Sequence, residues 1–528
     1  MAQHFDVIIV GAGLSGITAA YHLQTLCPDK TFLILESRDS IGGTWDLFRY
    51  PGIRSDSDML TLGYRWKPWT GDKSLADGPS ILAYVREAAS ETGIERRIRC
   101  GHRVVRAAWS SSHARWTVDA TVDATVDATV DATRTDGGAA RAEQFSCKFL
   151  FMCSGYYDYA AGYTPKFAGQ ESFTGPIIHP QHWPEDLDWT GKRVVVIGSG
   201  ATAVTLVPAL AERAGHVVML QRSPTYIASI PARDSIAAAL RRKLPALVAY
   251  QLARWKNIAF GALVFQLART VPGFLKSVFL KRVREELGPD FDIEKHFTPR
   301  YNVWDQRVCA VPDGDLFEAL RAGRASVVSD HIERFTADGI ALQSGEQLRA
   351  DVIVTATGLE LLCLGGVELS VDGQQIAINQ TMSYKGCMFT GVPNLAWAFG
   401  YTNASWTLKA DLTAEFVCRL LRTMDARGAD SCTARLNDAS VEEQPWIDFS
   451  SGYVRRSLEL FPKQGSKQPF RLYQNYLLDL LALRYLPIDD GALELERRRS
   501  PRVDTRETRD MRGQGSSRSN GYGPRSQP

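Results

Sequence analysis

Two short glycine runs carry the first chemistry in this sequence. Gly11-x-Gly13-x-x-Gly16 follows an apolar run at residues 5–10 and opens an Ala/Leu-rich stretch with helical spacing. In that setting Gly11 permits a tight turn, Gly13 lets the backbone approach a pyrophosphate, and Gly16 allows the helix to pack closely on the strand. The helix N-terminus favours an anion, and Ser15 adds a hydroxyl donor. Glu36 ends the next apolar run, 20 residues beyond Gly16. A carboxylate there accepts hydrogen bonds from ribose hydroxyls. Strand, turn, helix and acid in register predict a dinucleotide site.

The same grammar restarts at residues 193–197. The second turn reads Gly198-Ser199-Gly200-Ala201-Thr202-Ala203-Val204, and the strand after it runs into Gln221-Arg222-Ser223. No carboxylate stands where Glu36 stood. A carboxylate would repel a 2′-phosphate, whereas the Arg222 guanidinium offers it a bidentate fork. This predicts NADPH over NADH. Two dinucleotide sites on one chain point to a flavin reductase, with FAD in one site and hydride delivered from the other.

The elements that must hold these residues are those of an ordinary globular chain. It has 528 residues, 45% hydrophobic and 23% charged, which excludes a mainly disordered chain, a collagen or a coiled coil. The net charge of +2 is uneven: residues 497–528 hold nine Arg against three acids, so the rest is slightly acidic. The nine Cys are scattered without a CxxC pair. They read as reduced thiols in a cytoplasmic setting and offer no redox pair for a disulfide reductase. The N-terminus lacks a basic signal-peptide region. The uncharged stretch at 257–268 has 12 residues, short of the ~20 that span a bilayer.

Residues 232–295 read as a helical insertion with clustered basic residues, among them Arg241, Arg242, Lys243, Arg254 and Lys256. We read them as packed amphipathic helices with solvated basic faces; a peripheral membrane contact is the alternative. Thr-Val-Asp-Ala repeats four times within 117–133. Its period of two suits a strand, but a single strand of that length would run ~56 Å. A protruding hairpin or loop without function is the expectation. The tail after Glu496, rich in Arg, Ser, Gly and Pro, is expected to be disordered.

A longer pattern resembles a known family. Phe173-x-Gly175-x-x-x-His179-x-x-x-Trp183-Pro184 is similar to the fingerprint of Baeyer–Villiger monooxygenases, the class B flavoprotein monooxygenases. Gly42-Gly-Thr-Trp45-x-x-x-x-Tyr50-Pro51-Gly52-x-x-x-Asp56 resembles their second signature, and Asp351-Val-Ile-Val-Thr-Ala-Thr-Gly358 the return to their FAD domain. Trp304-Asp-Gln-Arg307 and Tyr401-Thr-Asn-Ala-Ser-Trp406 resemble a bacterial subgroup. The resemblance covers about residues 5–495.

It implies an α/β fold with two Rossmann-like dinucleotide-binding domains. The expected division is FAD domain 1–155, NADPH domain 156–384 with the insertion 232–295, second FAD part 385–496, and tail 497–528. The implied enzyme uses FAD, NADPH and O2 to convert ketones to esters or lactones through a C4a-peroxyflavin, and also oxygenates sulfur. Arg307 matches the family's catalytic arginine, and Asp56 the carboxylate that positions it. FAD contacts carry over to Ser15, Glu36, Thr44, Trp45, Asp46, Leu47, Asp56 and the Val104 backbone. NADPH contacts carry over to Arg54, Ser55, Asp56, the turn from Gly198 to Val204, Gln221, Arg222 and Ser223. Gln306 stands where some members carry a lysine that grips the 2′-phosphate, which puts more of that contact on Arg222. His179 is expected as a hydrogen-bonded element of the domain linker rather than a base, and Trp406 as a core aromatic. The competing readings are a flavin monooxygenase limited to nitrogen and sulfur nucleophiles, and a silent scaffold whose Arg-rich tail binds anionic surfaces. No specific nucleic-acid partner is expected.

Overall fold

Two sheets, each carrying one glycine turn at the end of its first central strand, organise the chain. The computed structural model describes residues 2–122, 141–447 and 451–498. Strand β1 (Gln3–Val10) ends in four buried apolar residues, feeds helix α1 (Leu14–Leu26) and pairs in parallel with β2 (Phe32–Leu35). This is the strand, turn and helix expected from the first motif. Burial of Val7, Ile8 and Ile9 holds the strand centre, at about 1.5–3 kcal/mol for each large side chain.

The first sheet adds β3 (Ile98–Arg99), β4 (His102–Ser110), β5 (Arg115–Val122) and β6 (Arg141–Met152). Late in the chain come β14 (Glu368–Val371), β15 (Gln374–Gln375) and β16 (Leu395–Trp397). The order is β15-β14-β4-β5-β6-β1-β2-β3, with β16 also on β6. The chain therefore returns to this sheet by Glu368, where β14 pairs in parallel with β4, earlier than the expected boundary at 384/385. Helix α6 (Trp406–Arg427) packs against α1, with nearly all of its first four turns buried.

The second sheet is wholly parallel. It contains β8 (Ile177–Ile178), β9 (Arg193–Ile197), β10 (His216–Gln221), β11 (Ala325–Ser329) and β12 (Val352–Thr355), in the order β11-β10-β9-β12-β8. Helix α2 (Ala201–Ala211) follows β9. Between the sheets the outgoing strand β7 (Tyr157–Gly162) pairs antiparallel with the returning strand β13 (Leu359–Leu361). His179 seals this crossing. Its Nε2 lies 3.0 Å from the Gly358 carbonyl, and a Cβ on Gly162 would meet its ring at 1.9 Å.

The helical stretch forms α3 (Ser235–Lys243), α4 (Ala246–Thr270) and α5 (Pro272–Leu287). Its basic residues are not all solvated. Arg254 is buried, and its Nη1 donates to the carbonyls of Leu60 (2.8 Å) and Gly63 (2.8 Å) in the first unit. A cation suits the carbonyl end of the short helix Met59–Leu62. Arg241 donates to the Trp69 carbonyl at 2.7 Å, and Lys256 pairs with Asp234. Among the described residues no single helix is long and apolar enough to cross a membrane; α4 and α5 pass that test only together, bent by 115°.

The repeat begins inside β5, where Val118, Ala120 and Val122 are buried and Thr117 to Val122 pair with both β4 and β6. Its remainder, like the tail from 499, lies outside the described residues.

Candidate active site

Both glycine turns open into one cavity of about 1850 Å3. The two turns are built alike. Gly11 has φ +105°, and a Cβ there would meet the Cys153 carbonyl oxygen, just past β6, at 2.6 Å. Gly198 has φ +134°, and a Cβ there would meet the Ala356 oxygen, just past β12, at 2.3 Å. Each turn thus rests on the end of the neighbouring strand, a position open only to glycine. Gly16 packs on the Gly11 carbonyl, 1.9 Å from its own notional Cβ. Gly13 faces Gly43 across the cavity floor, and around Gly200 there is open space.

Most predicted site residues reach this cavity. Gly11, Gly13, Ser15, Glu36, Thr44, Trp45 and Val104 line the first end; Gly198, Ser199, Gly200, Ala201, Thr202, Arg222 and Ser223 line the second. Arg54, Ser55, Asp56 and Arg307 lie on the same wall system. Glu36 is buried, its Oε2 accepting the Ala12 N–H at 2.6 Å and its Oε1 the Arg38 N–H at 3.0 Å. Burial raises its pKa, and these donors only partly oppose that. Ser199 Oγ binds the Ser223 carbonyl at 3.0 Å and so joins the second turn to the end of β10. Arg222 is exposed and pairs with no carboxylate among the described residues.

Six predicted residues lie off the cavity wall. Gly16, Leu47, Ala203 and Val204 face helix packing, and Asp46 and Gln221 are taken by internal partners. Asp46 is buried and binds Arg38 (2.6 Å), Ser40 (2.7 Å) and Arg86 (3.0 Å). Gln221 donates to the His296 carbonyl and to Ser329 Oγ, both at 2.8 Å. Arg54 reaches the wall but is held in an ion pair with Asp315.

Arg307 lines the same cavity as the two turns. Its Nη1 lies 3.2 Å from Asp56 Oδ2, and both side chains are half-buried. Burial works against its charge, but Asp56 and the oxygens of Tyr453, Tyr156 and Tyr157 raise its pKa well above the ordinary value. It is a permanent cation. Tyr156 and Tyr157 share a hydrogen bond at 2.9 Å, and burial pushes the Tyr157 phenol up to about 12. Both phenols are neutral donors at physiological pH.

Sequence reasoning missed part of this wall. Tyr156 and Tyr157 belong to the Tyr156-Tyr157-Asp158-Tyr159 run, a local signal in plain view. Tyr453 and Arg456, on helix α7 (Gly452–Ser457), carry no such signal. The Arg456 guanidinium lies 3.4 Å from the centre of the Tyr163 ring. Trp406, expected in the core, packs there but also lines the cavity; it stacks on Tyr156 and donates to Ser15 Oγ at 2.7 Å. Away from the cavity, His22, Asp411 and Glu415 bring three potential metal ligands within 4.8 Å. Arg65 already binds both carboxylates, and Arg484 binds that of Glu415.

Comparison with known proteins gives one family. A model for an NAD(P)-binding Rossmann-like domain matches residues 9–72, and one for flavin-binding monooxygenase-like proteins matches 115–237. Among solved structures the fold resembles an oxidized steroid monooxygenase bound to NADP (TM-score 0.70, 22% identity, 94% of this chain and 100% of that one). It also resembles an open cyclohexanone monooxygenase (TM-score 0.68, 20% identity, the same coverage). The FAD-containing monooxygenase EthA of Mycobacterium tuberculosis is 55% identical over 502 residues, 95% of this chain and 99% of that protein. The probable FAD-binding monooxygenase AlmA of an Acinetobacter species is 47% identical, covering 94% and 97%. With that identity along nearly its whole length, the chain is an enzyme of the EthA family of FAD-containing monooxygenases.

Proposed function

We propose that the chain is a Baeyer–Villiger monooxygenase that uses FAD, NADPH and O2 to convert ketones to esters or lactones, and that it also oxygenates the sulfur of thioethers and thioamides. The observation that carries this is the Arg307–Asp56 pair in one cavity between two glycine turns. We assign FAD to the unit built on β1–β6 and NADPH to the unit built on β8–β12. The residues present suit both. Gly13 and Gly43 leave room that a Cβ would fill, Glu36 suits ribose hydroxyls, and the open Gly200 turn with Arg222 suits a phosphorylated nucleotide.

Bound FAD, reduced by NADPH, supplies the electrons that activate dioxygen. The balance is ketone + O2 + NADPH + H+ giving ester + NADP+ + H2O. The chain's own residues hold and stabilise. Arg307 keeps a fixed positive charge where negative charge develops on the attacked carbonyl oxygen. Guanidinium suits this because it stays protonated when desolvated. Asp56 orients it. Tyr156, Tyr157 and Trp406 wall the cavity beside it against water, which strengthens that electrostatic contact.

A ketone panel analysed by mass spectrometry tests the reading, scored as ester formed per NADPH consumed. Ester as the main product supports it. Sulfoxide from a thioether with no ester from any ketone transfers the chain to the alternative, a flavin monooxygenase acting on nitrogen and sulfur nucleophiles only.

A further inference from the structure

Surface helices normally turn a polar face to water. Helix α4 does the opposite. Val248, Leu252, Trp255, Ala259 and Leu263 follow one another at helical spacing, and all are exposed. Phe260 on the same helix is 66% exposed, and Phe274 at the start of α5 is 63% exposed. Helix α8 (Tyr476–Leu480) continues the surface. Trp255 meets Tyr476 at 5.9 Å between ring centres, and Leu477 and Leu481 are exposed beside it. An apolar patch of this kind on a protein surface marks an interaction site.

Charge identifies the partner. From Ser235 to Arg284 there is no Asp or Glu, while ten Lys and Arg occur. Arg241, Arg254 and Lys256 are used internally and Arg282 pairs with Glu285, but Arg242, Lys243 and Lys281 are exposed and pair with no carboxylate among the described residues. A second copy of this chain fits poorly, since a symmetric contact would set two acid-free cationic segments against each other. Apolar side chains flanked by unopposed cations match an anionic lipid surface, where acyl chains take the former and headgroups the latter.

The position of the patch gives it a use. The other side of α4 lines the cavity through Asn257, Ile258, Val264 and Phe265, and exposed Phe260 and Leu478 stand on both cavity wall and patch. We propose that the α4–α5–α8 face docks on anionic membranes and that the cavity takes up lipophilic substrates directly from the bilayer. The docking stands by itself; the uptake rests on the ketone-oxidising reading.

Vesicle flotation of the holoenzyme tests the docking. Neutral phosphatidylcholine vesicles are compared with vesicles containing phosphatidylglycerol, at low and high salt. The expected result is flotation with the anionic vesicles only, weakened by salt. The L252E/W255E/L263E variant changes outward residues that do not line the cavity. It should keep its yellow flavin spectrum and its turnover of a small water-soluble ketone, and lose flotation about tenfold or more. It should also turn over a long-chain ketone dissolved in vesicles more slowly. Unchanged flotation of the variant overturns the proposal, because binding would then come from elsewhere, such as the Arg-rich tail. So does equal flotation on neutral vesicles, or dimerisation on sedimentation that the variant abolishes. Intact flotation with no ester from either ketone leaves docking standing and overturns the reaction instead.

Discussion

Arg307 and Asp56 are 251 positions apart in the chain and 3.2 Å apart in space, guanidinium Nη1 to carboxylate Oδ2. The contact ties the segment after the helical insertion to the loop beyond the Gly42-Gly43 turn. It holds a permanent cation on the cavity wall. Arg307→Ala should therefore still bind both nucleotides and reduce flavin with NADPH. Ester yield should fall about a hundredfold or more, in line with the loss of a charged transition-state donor, with hydrogen peroxide released instead. Stopped-flow flavin reduction alongside product analysis checks both halves; normal ester yield from the variant removes Arg307 from the mechanism. Asp56→Asn should lose less, because the cation remains but is no longer aimed.

Arg222 stands exposed on the cavity wall beside the second glycine turn, with Gln306 where a lysine would share its task. Arg222→Ala should reduce the preference for NADPH over NADH by about tenfold or more, the scale of one charge-assisted hydrogen-bond set. The effect should appear in KM for NADPH and leave KM for NADH nearly unchanged. An unchanged preference would move the 2′-phosphate contact to another residue.

Arg456 is a cavity-wall cation that the folded chain reveals. It stacks on Tyr163, lies beside Gly358, and pairs with no carboxylate among the described residues. Gly358 ends the strand segment on which the Gly198 turn rests, so this charge is near the expected pyrophosphate. Arg456→Ala should raise KM for NADPH about tenfold, with FAD content unchanged. Arg456→Lys should not restore it, since an ammonium cannot stack on the ring as the planar guanidinium does. A variant with normal NADPH kinetics and altered substrate preference would place Arg456 on the substrate side instead.

What could be read in advance follows from how local each feature is. The glycine turns were legible because strand, turn and helix are adjacent in the chain, and the two turns repeat the same packing on a neighbouring strand end. Glu36 was legible for the same reason. Asp46 and Gln221 sit next to cavity residues in sequence, but Arg38, Arg86, His296 and Ser329 hold them inward. Arg86, His296 and Ser329 come from elements distant in the chain, so spacing gave no warning of them. Tyr453 and Arg456 reach Tyr163 and Arg307 only because the chain crosses back through β13. The early return at β14 was hidden because that strand is four residues long and only half-buried.

Asp46 has a structural consequence that can be measured. Burial works to raise its pKa, but Arg38 and Ser40 outweigh that and hold the carboxyl below its usual range. Its contribution to stability is therefore complete above the unfolded value of about 3.9 and is lost as pH falls through the lower folded value. Asp46→Asn should cost about 1–3 kcal/mol near neutral pH by leaving the part-exposed Arg38 short of its partner. Denaturant unfolding should show that gap constant above about pH 5 and shrinking below about pH 4. A gap independent of pH down to 3 would mean that the carboxylate charge contributes nothing.

The Thr-Val-Asp-Ala repeat divides at Val122. Up to that point the alternation is a working strand: Val118, Ala120 and Val122 point into the core, and β5 is paired on both edges. A deletion of three of the four repeats that reaches into this strand should therefore damage the fold, contrary to the expectation of a loop without function. A deletion confined to 123–133, outside the described residues, should leave turnover within about twofold, since it removes none of the paired residues of β5. Ala120→Asp should behave oppositely. It buries a charge with no cation opposite it in the β4–β5–β6 core, a change that costs several kcal/mol. Thermal unfolding and NADPH turnover of the two variants decide the point: a deletion that loses activity while Ala120→Asp keeps it would mean that the repeat, rather than the strand it extends, carries the role.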